Sequence, residues 1–296
     1  MDVKENFKQR YCALTDYDAF MEINRKPLRA SLRVNTIKTT VSEITKRFPN
    51  LEPVPWCKEG FYIKGYGVGN TAEHFLGYFY LQEAASMIPP IVLDAQPDDV
   101  VLDMAAAPGS KTTQIAAMMK NTGLLVANDY PINRLKALEV NMERCGVTNA
   151  IITRMYGQAI KGITFDKILL DAPCSGIGTI RKSPKTLDIY NPGMSRKLAG
   201  VQKRMISAAW NLLNKNGTLV YSTCTLEPEE NEAVISYALE NLKGIKIEKI
   251  SLPLKRSAPV LNFEGQTYHE DVKHALRIWP QDNNSEGFFV TKLTKE

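Results

Sequence analysis

The chain has 296 residues, 44% hydrophobic and 23% charged, an ordinary composition for a soluble chain able to bury a sizeable core in one domain or a large and a small one. No stretch has the order of a signal peptide and no apolar run approaches membrane-spanning length, so a cytoplasmic protein with no membrane partner is expected. Five scattered cysteines without a CxxC pair, and only His74, His269 and His274, argue against a disulfide framework and a metal site, while the net charge of +5 is modest.

Residues 1–22 read as helical, with Leu14, Tyr17, Phe20 and Met21 near helical spacing. Residues 29–64 mix short strands, SLRVNTI and GFYIKG, with a helix around VSEITKRF. The first 64 residues hold twelve Lys or Arg against eight Asp or Glu, several of them in NRKPLRASLRVN (24–35). Both a basic face for phosphates and an ordinary solvated surface are open there. The turn-rich GYGVGN (65–70) is the expected boundary between a small N-terminal module, residues 1–70, and a larger unit, residues 71–296. A helix is expected over LQEAASMIPPIVL (81–93).

From residue 95 strands and helices alternate. DVVLDMA (99–105), LLVAND (124–129), AIITRM (150–155), FDKILLD (165–171) and GTLVYST (217–223) read as buried strands. Helices are expected at 111–120, 131–146 and 195–213, the second with Pro131 near its start and Gly146 just past its end. Such alternation implies a parallel sheet covered by helices on both faces. The tail, HALRIWP to EGFFVTKL (274–293), reads as two strands around a polar turn.

Ligands of open parallel sheets bind beyond the carboxyl ends of the strands. There the chain places DMAAAPGSK (103–111), Asp129, Asp171 with APCSG, and STCT around Cys224. Each alone is as well explained by a helix cap or a buried small residue; three carboxylates and two thiols on one rim are not. AAAPGSK lacks the spacing of a phosphate loop and of a dinucleotide fingerprint. Its small residues still admit close approach to a ligand, and the helix opening near Ser110 offers N–H groups to an amino-acid carboxylate. A carboxylate at Asp129 suits ribose hydroxyls, and a nucleoside joined to an amino acid is S-adenosylmethionine.

DMAAAPGSKT, DAPCSGIG and YSTCTLEPEENE resemble three motifs of the Sun/Nop family of RNA cytosine-C5 methyltransferases. SLRVNT and RIWP…EGFFVTKL resemble that family's flanking segments, so the likeness covers roughly residues 28–293. It implies an α/β fold: the S-adenosylmethionine-dependent methyltransferase (Rossmann-like) sheet with a small N-terminal α+β RNA-binding module. It implies that Ala105, Ala106, Ala107, Pro108, Gly109, Ser110 and Lys111 wrap the methionine part of S-adenosylmethionine and that Asp129 holds the ribose. Asp171 is implied between cofactor and target cytosine, Cys224 as the nucleophile, and Cys174 as the thiol that assists product release. Arg134 is a further cofactor-site candidate or an exposed helix arginine. Family members commonly carry an acidic residue near the adenine, where this chain has RMYGQ (154–158); Tyr156 or a backbone group is expected to serve instead.

The chemistry agrees. Carbon 5 of cytosine is a poor nucleophile until a thiolate adds at carbon 6 and makes the ring an enamine. Lys111 is the nearest source of positive charge, and Asp171 is placed to bond the ring's N3 and N4 edge. Arg25, Lys26, Arg29 and Arg33, with Arg181, Lys182 and Lys185, are expected on phosphates. Transfer RNA is expected over ribosomal RNA, since the chain is short with no long basic tail or extra targeting domain; a monomer is expected. A DNA-type mechanism would instead make Cys174 the attacker. A methyltransferase for small molecules or proteins, and a non-catalytic RNA-binding module, are the remaining alternatives.

Overall fold

The computed structural model describes residues 3–64 and 67–296; Gly65 and Tyr66 of the expected boundary turn lie outside the described residues. The helix expected over residues 1–22 is two helices, Glu5–Leu14 and Tyr17–Asn24. Asp16 divides them, because its carboxylate accepts the Ala19 backbone N–H and so opens the second. Their apolar faces, Phe7, Tyr11, Phe20 and Met21, pack on Ile177, Ile180, Leu187, Tyr190, Leu226 and Trp279. The N-terminal helices therefore lean on the loops that follow Cys174 and Cys224.

A four-stranded antiparallel sheet comes next: β1 (Ser31–Val34), β2 (Leu51–Val54), β3 (Cys57–Ile63) and β4 (Phe79–Leu81), in the order β2-β3-β1-β4. Helix Val41–Arg47, opened by reciprocal Thr40–Glu43 capping bonds, adds Ile44 to its core. The helix expected over residues 81–93 is shorter. Leu81 closes β4 opposite Leu32, and the α-helix runs only Ile88–Leu93. Pro89 and Pro90 explain the late start, since proline suits the first turn of a helix but lacks the N–H an interior position needs.

The large sheet is built from β5 (Val100–Asp103), β6 (Leu124–Asp129), β7 (Ala150–Arg154), β8 (Phe165–Asp171), β9 (Leu213–Thr223), β10 (Ile245–Glu248), and, after the short hairpin β11 (Asn262–Phe263) and β12 (Gln266–Thr267), β13 (Leu276–Ile278) and β14 (Phe288–Lys295). Its order is β10-β14-β9-β8-β5-β6-β7, with β13 also on β14. β5 to β9 run parallel and β14 is antiparallel to β9, the expected α/β, Rossmann-like sheet. β10 was not foreseen: Ile-Lys-Ile-Glu alternates apolar and charged residues, as an edge strand does, and makes no continuous apolar run.

The central strands are apolar throughout because both faces are covered. Leu102, Ile168, Leu170 and Leu219 pack with Met205, Ile206, Ala209 and Trp210 of helix Pro192–Leu212 on one side. Val101, Leu125, Leu169 and Val220 pack with Ile88, Val92, Ile115 and Ala116 on the other. The strand order reverses at β5, with β6 and β7 to one side and β8 and β9 to the other, which opens a crevice at the carboxyl ends. Among the described residues no helix is long and apolar enough to cross a membrane.

Candidate active site

Three chain segments meet at this crevice. The loop after β8 carries Asp171 and Cys174, the loop after β9 carries Cys224, and helix Ser110–Met118 after β5 carries Lys111. The two thiols lie 3.4 Å apart, sulfur to sulfur. Cys174 is pushed well above the usual thiol range, first by its hydrogen bond with Cys224, then by burial and by the nearby acids Glu230 and Asp171. Cys174 is thus held as the neutral thiol, and either sulfur can donate in the hydrogen bond between them. Asp171 accepts Lys111 Nζ on one oxygen at 2.8 Å and Ser222 Oγ on the other at 2.7 Å. Burial alone would lower the Lys111 pKa, but the Asp171 charge and hydrogen bond outweigh it and raise the value. The ion pair therefore favours the charged form of Lys111 in a half-enclosed site.

Both cysteine loops are tied down by groups that composition does not reveal. Glu230 is buried and accepts the Ser175 N–H at 3.0 Å and Gln202 Nε2 at 2.9 Å, and Gln202 also bonds the Pro173 carbonyl. Ser175 Oγ meets Thr225 Oγ1 at 2.7 Å, joining the residues that follow the two thiols. Gly178 sits between two carbonyls: a Cβ there would stand 2.2 Å from the Gly287 oxygen and 2.6 Å from the Cys224 oxygen, so only glycine allows the approach. From the N-terminal helix, Arg10 reaches Glu227 at 3.1 Å and Glu229 at 2.5 Å, and Tyr11 Oη donates to Glu227 at 2.7 Å.

The adjoining loop, Met104–Gly109, is laced to the end of β6. Ala107 N–H donates to Asp129 Oδ2 at 3.0 Å, Tyr130 N–H to Asp129 Oδ1 at 2.8 Å, and Arg134 Nη2 to the Ala107 carbonyl at 2.6 Å. Arg134 also stands 3.5 Å from Asp129, so this helix arginine belongs to the loop's support. Gly109 has φ +104, a value that favours glycine at the helix start. Asp103 is buried, bonded by Thr112 through one oxygen, and its Oδ1 has no partner among the described residues. Beside Asp129, Tyr130 and Tyr156 stack with centroids 3.6 Å apart and planes 18° from parallel, both rings largely exposed. An unpartnered buried carboxylate oxygen, a small-residue loop, an acid at the strand end and an aromatic surface fit an amino acid, its sulfonium chain, a ribose and a purine in turn. The residues present therefore suit S-adenosylmethionine.

The expected phosphate contacts divide. Arg25, Lys26, Lys182 and Lys185 are exposed and Arg29 is partly so. Arg33 is not available: it is 2% exposed and spends its guanidinium on Gln82, the Ser110 carbonyl at 2.7 Å and Thr113 Oγ1 at 2.9 Å. Arg181 is likewise buried and bonds the carbonyls of Lys26, Pro27 and Ser285. Both correct the sequence expectation. Their donors already satisfy backbone and side-chain acceptors whose loss would leave buried polar groups unpaired, so they brace the fold. Among the described residues no group of three or more His, Cys, Asp or Glu is placed to hold a metal ion.

Two results are expected at this site. Asp129→Asn should weaken S-adenosylmethionine binding by about 1.5–3 kcal/mol, the range for a charge-assisted hydrogen bond, which is roughly 10- to 150-fold in Kd. Calorimetry giving an unchanged Kd would remove Asp129 from the ribose site. Second, burial is the main cause that pushes Asp103, Glu227 and Glu286 each up to about 7. Acids raised in the folded state contribute stability that is complete below their unfolded pKa of about 4 and is lost as pH rises through about 7. The thermal midpoint should therefore fall between pH 5 and 8 by about a few degrees, and Asp103→Asn should flatten the fall. A midpoint that rises over that interval would contradict the assignment.

Residues 90–294 match the family described as 16S rRNA methyltransferase RsmB/F, and residues 4–84 match the N-terminal domain of 16S rRNA methyltransferase RsmF. The chain is 46% identical to the tRNA (cytosine(49)-C(5))-methyltransferase of Pyrococcus abyssi, over 100% of this chain and 99% of that one. It is 43% identical to ribosomal RNA small subunit methyltransferase F of Vibrio parahaemolyticus, over 93% of this chain but only 59% of that relative's length. A solved methyltransferase homolog from Pyrococcus horikoshii superposes with a TM-score of 0.88 at 37% identity, covering 99% of this chain and 95% of that one.

Proposed function

Because the chain belongs to the RsmB/F family of Sun-type RNA cytosine-C5 methyltransferases, we propose that it methylates cytosine in transfer RNA through a covalent cysteine–cytosine adduct, with S-adenosylmethionine as donor. The observation that carries the mechanism is the pair of thiols 3.4 Å apart beside the Asp171–Lys111 ion pair. When bound, the cofactor supplies an electrophilic methyl group on a sulfonium. Everything else falls to the chain's own residues.

Cys224, as thiolate, adds to carbon 6 of the target cytosine, and the ring's electrons move toward carbon 5 and the N3–C4–N4 edge. Asp171 faces that edge and accepts from the N4 amino group, while Lys111 supplies positive charge where negative charge develops. Once carbon 5 carries the methyl group, its proton must leave so that the carbon 5–carbon 6 double bond re-forms and Cys224 departs with its electron pair. That proton passes to water, and Cys174, 3.4 Å from Cys224, assists the departure through the hydrogen bond its S–H offers the leaving thiolate. Asp103 is the group suited to the donor's ammonium, Asp129 to its ribose, and the Tyr130–Tyr156 surface to its adenine in place of the acid the family commonly uses.

Transfer RNA is favoured over ribosomal RNA because the chain is 46% identical to the P. abyssi tRNA enzyme, against 43% to the ribosomal relative. The test is incubation with labelled methyl donor and separated RNA pools, together with tritium release from RNA labelled at cytosine carbon 5. Label in transfer RNA with tritium release is the expected result. Label confined to ribosomal RNA would reverse the choice of substrate, and methylation without tritium release would reject carbon 5 as the acceptor.

A further inference from the structure

Residues 175–212, which lead from the Cys174 loop to β9, contain seven Lys or Arg and a single acid, Asp188. Helix Pro192–Leu212 within them has no acid in 21 residues, against Arg196, Lys197, Lys203 and Arg204. Arg196, Lys197 and Arg204 are exposed, and their spacing puts them on one side of the helix together with Gly200. Among the described residues none of the three lies within 4 Å of a carboxylate. Two of the N-terminal basic residues are already neutralised by contrast: Lys26 pairs with Glu22 and Arg29 with Glu52, each at 2.5 Å.

The opposite side of the same helix faces the reactive loops. Gln202 is fully buried and bonds Pro173 and Glu230, while Met205, Ile206 and Ala209 enter the core. One helix thus braces the cysteine loop from within and shows solvent an uncompensated row of cations. At its start Arg196 opens onto a groove of about 540 Å³ shared with Asn6 and Gln9. The acid of that groove, Glu264, is already held 2.5 Å from Arg10. Like charges collected on a helix without interspersed acids repel one another, an arrangement that an external polyanion relieves.

We propose that this face, Arg196, Lys197 and Arg204, docks the phosphate backbone of the substrate RNA where it flanks the target nucleotide. The inference rests on the RNA reading above. Contacts of this kind position the strand without reading its sequence, so the choice of target stays with the pocket and the N-terminal module.

The test compares R196A/K197A/R204A with a control of equal charge change, K215A/K243A/K249A, whose exposed lysines lie outside this face. Affinity for unmodified transfer RNA is measured across a series of potassium chloride concentrations. The first variant should bind roughly 10- to 100-fold more weakly at low salt, and its slope of log K against log salt should be shallower by about 2–3. Its thermal midpoint and S-adenosylmethionine affinity should match the wild type, which separates lost docking from lost folding. Charge reversal in K197E/R204E should weaken binding further. A wild-type slope in the triple variant, or an equal loss in the control, overturns the surface while leaving the methyltransferase reading intact. A wild-type protein that neither binds nor methylates RNA overturns both.

Discussion

Cys224→Ala is expected to lose methyl transfer by about 10⁴-fold or more in kcat, with the fold and the affinity for the methyl donor retained. Without attack at carbon 6 the ring stays aromatic and carbon 5 has no electron pair to offer, so positioning alone recovers little. The neighbouring thiol is no substitute. In the variant the hydrogen bond to Cys224 is gone, but burial and the charges of Glu230 and Asp171 still oppose a Cys174 thiolate. Cys224 is only partly buried, so truncation to alanine removes one sulfur and leaves a small void at the edge of the core. Single-turnover rates on transfer RNA, with donor affinity by calorimetry as the control, check this. Activity within about tenfold of wild type would take Cys224 out of the chemistry.

The second large effect is expected at Asp171, where Asp171→Ala should lower kcat by about 10²–10³-fold, the usual loss when one preorganised group at a developing charge is removed. Two losses combine. The N4 amino group loses its acceptor, and Lys111 loses the partner that outweighs its burial, so the lysine's pKa should fall. The pH–rate profile of the variant should therefore lose its alkaline limb at a lower pH than the wild type. Asp171→Asn keeps an acceptor for Ser222 and should fall between the two. An alanine variant with an unchanged profile would mean that the Asp171–Lys111 pair serves packing only.

What the sequence made legible was the rim. Strand ends are marked by the switch from apolar runs to small and polar residues, and the candidate site residues, Asp103, Asp129, Asp171, Cys174 and Cys224, all fall at those switches. The strand–helix alternation likewise foretold the sheet, because strands covered on both faces must be apolar throughout. The role of each basic residue was not legible. Arg33 and Arg29 stand four apart in one cluster, yet one is buried against Ser110 and Thr113 and the other lies over the Tyr62 ring at 3.7 Å. A cationic stretch records charge, not which carbonyls or rings consume it. Long-range partners were hidden for the same reason. Nothing local in YCAL around Tyr11 says that its hydroxyl will bond Glu227, 216 residues away. Glu230 lies in the acidic end of YSTCTLEPEENE, and only the packed structure shows it joining Ser175 to Gln202. The two prolines of MIPPIV did carry a local signal for a late helix start, one that the apolar run around them outweighed.

The division of labour between the thiols is tested most directly by a denaturing gel of each cysteine variant after incubation with methyl donor and substrate RNA. If Cys224 attacks and Cys174 assists the later departure, Cys174→Ala still forms the bond to carbon 6 but is slow to break it. A slowly migrating, nuclease-sensitive protein–RNA band should then accumulate with Cys174→Ala and be absent with Cys224→Ala. The reverse pattern would assign attack to Cys174, and no band from either variant while both remain active would contradict covalent catalysis by these thiols.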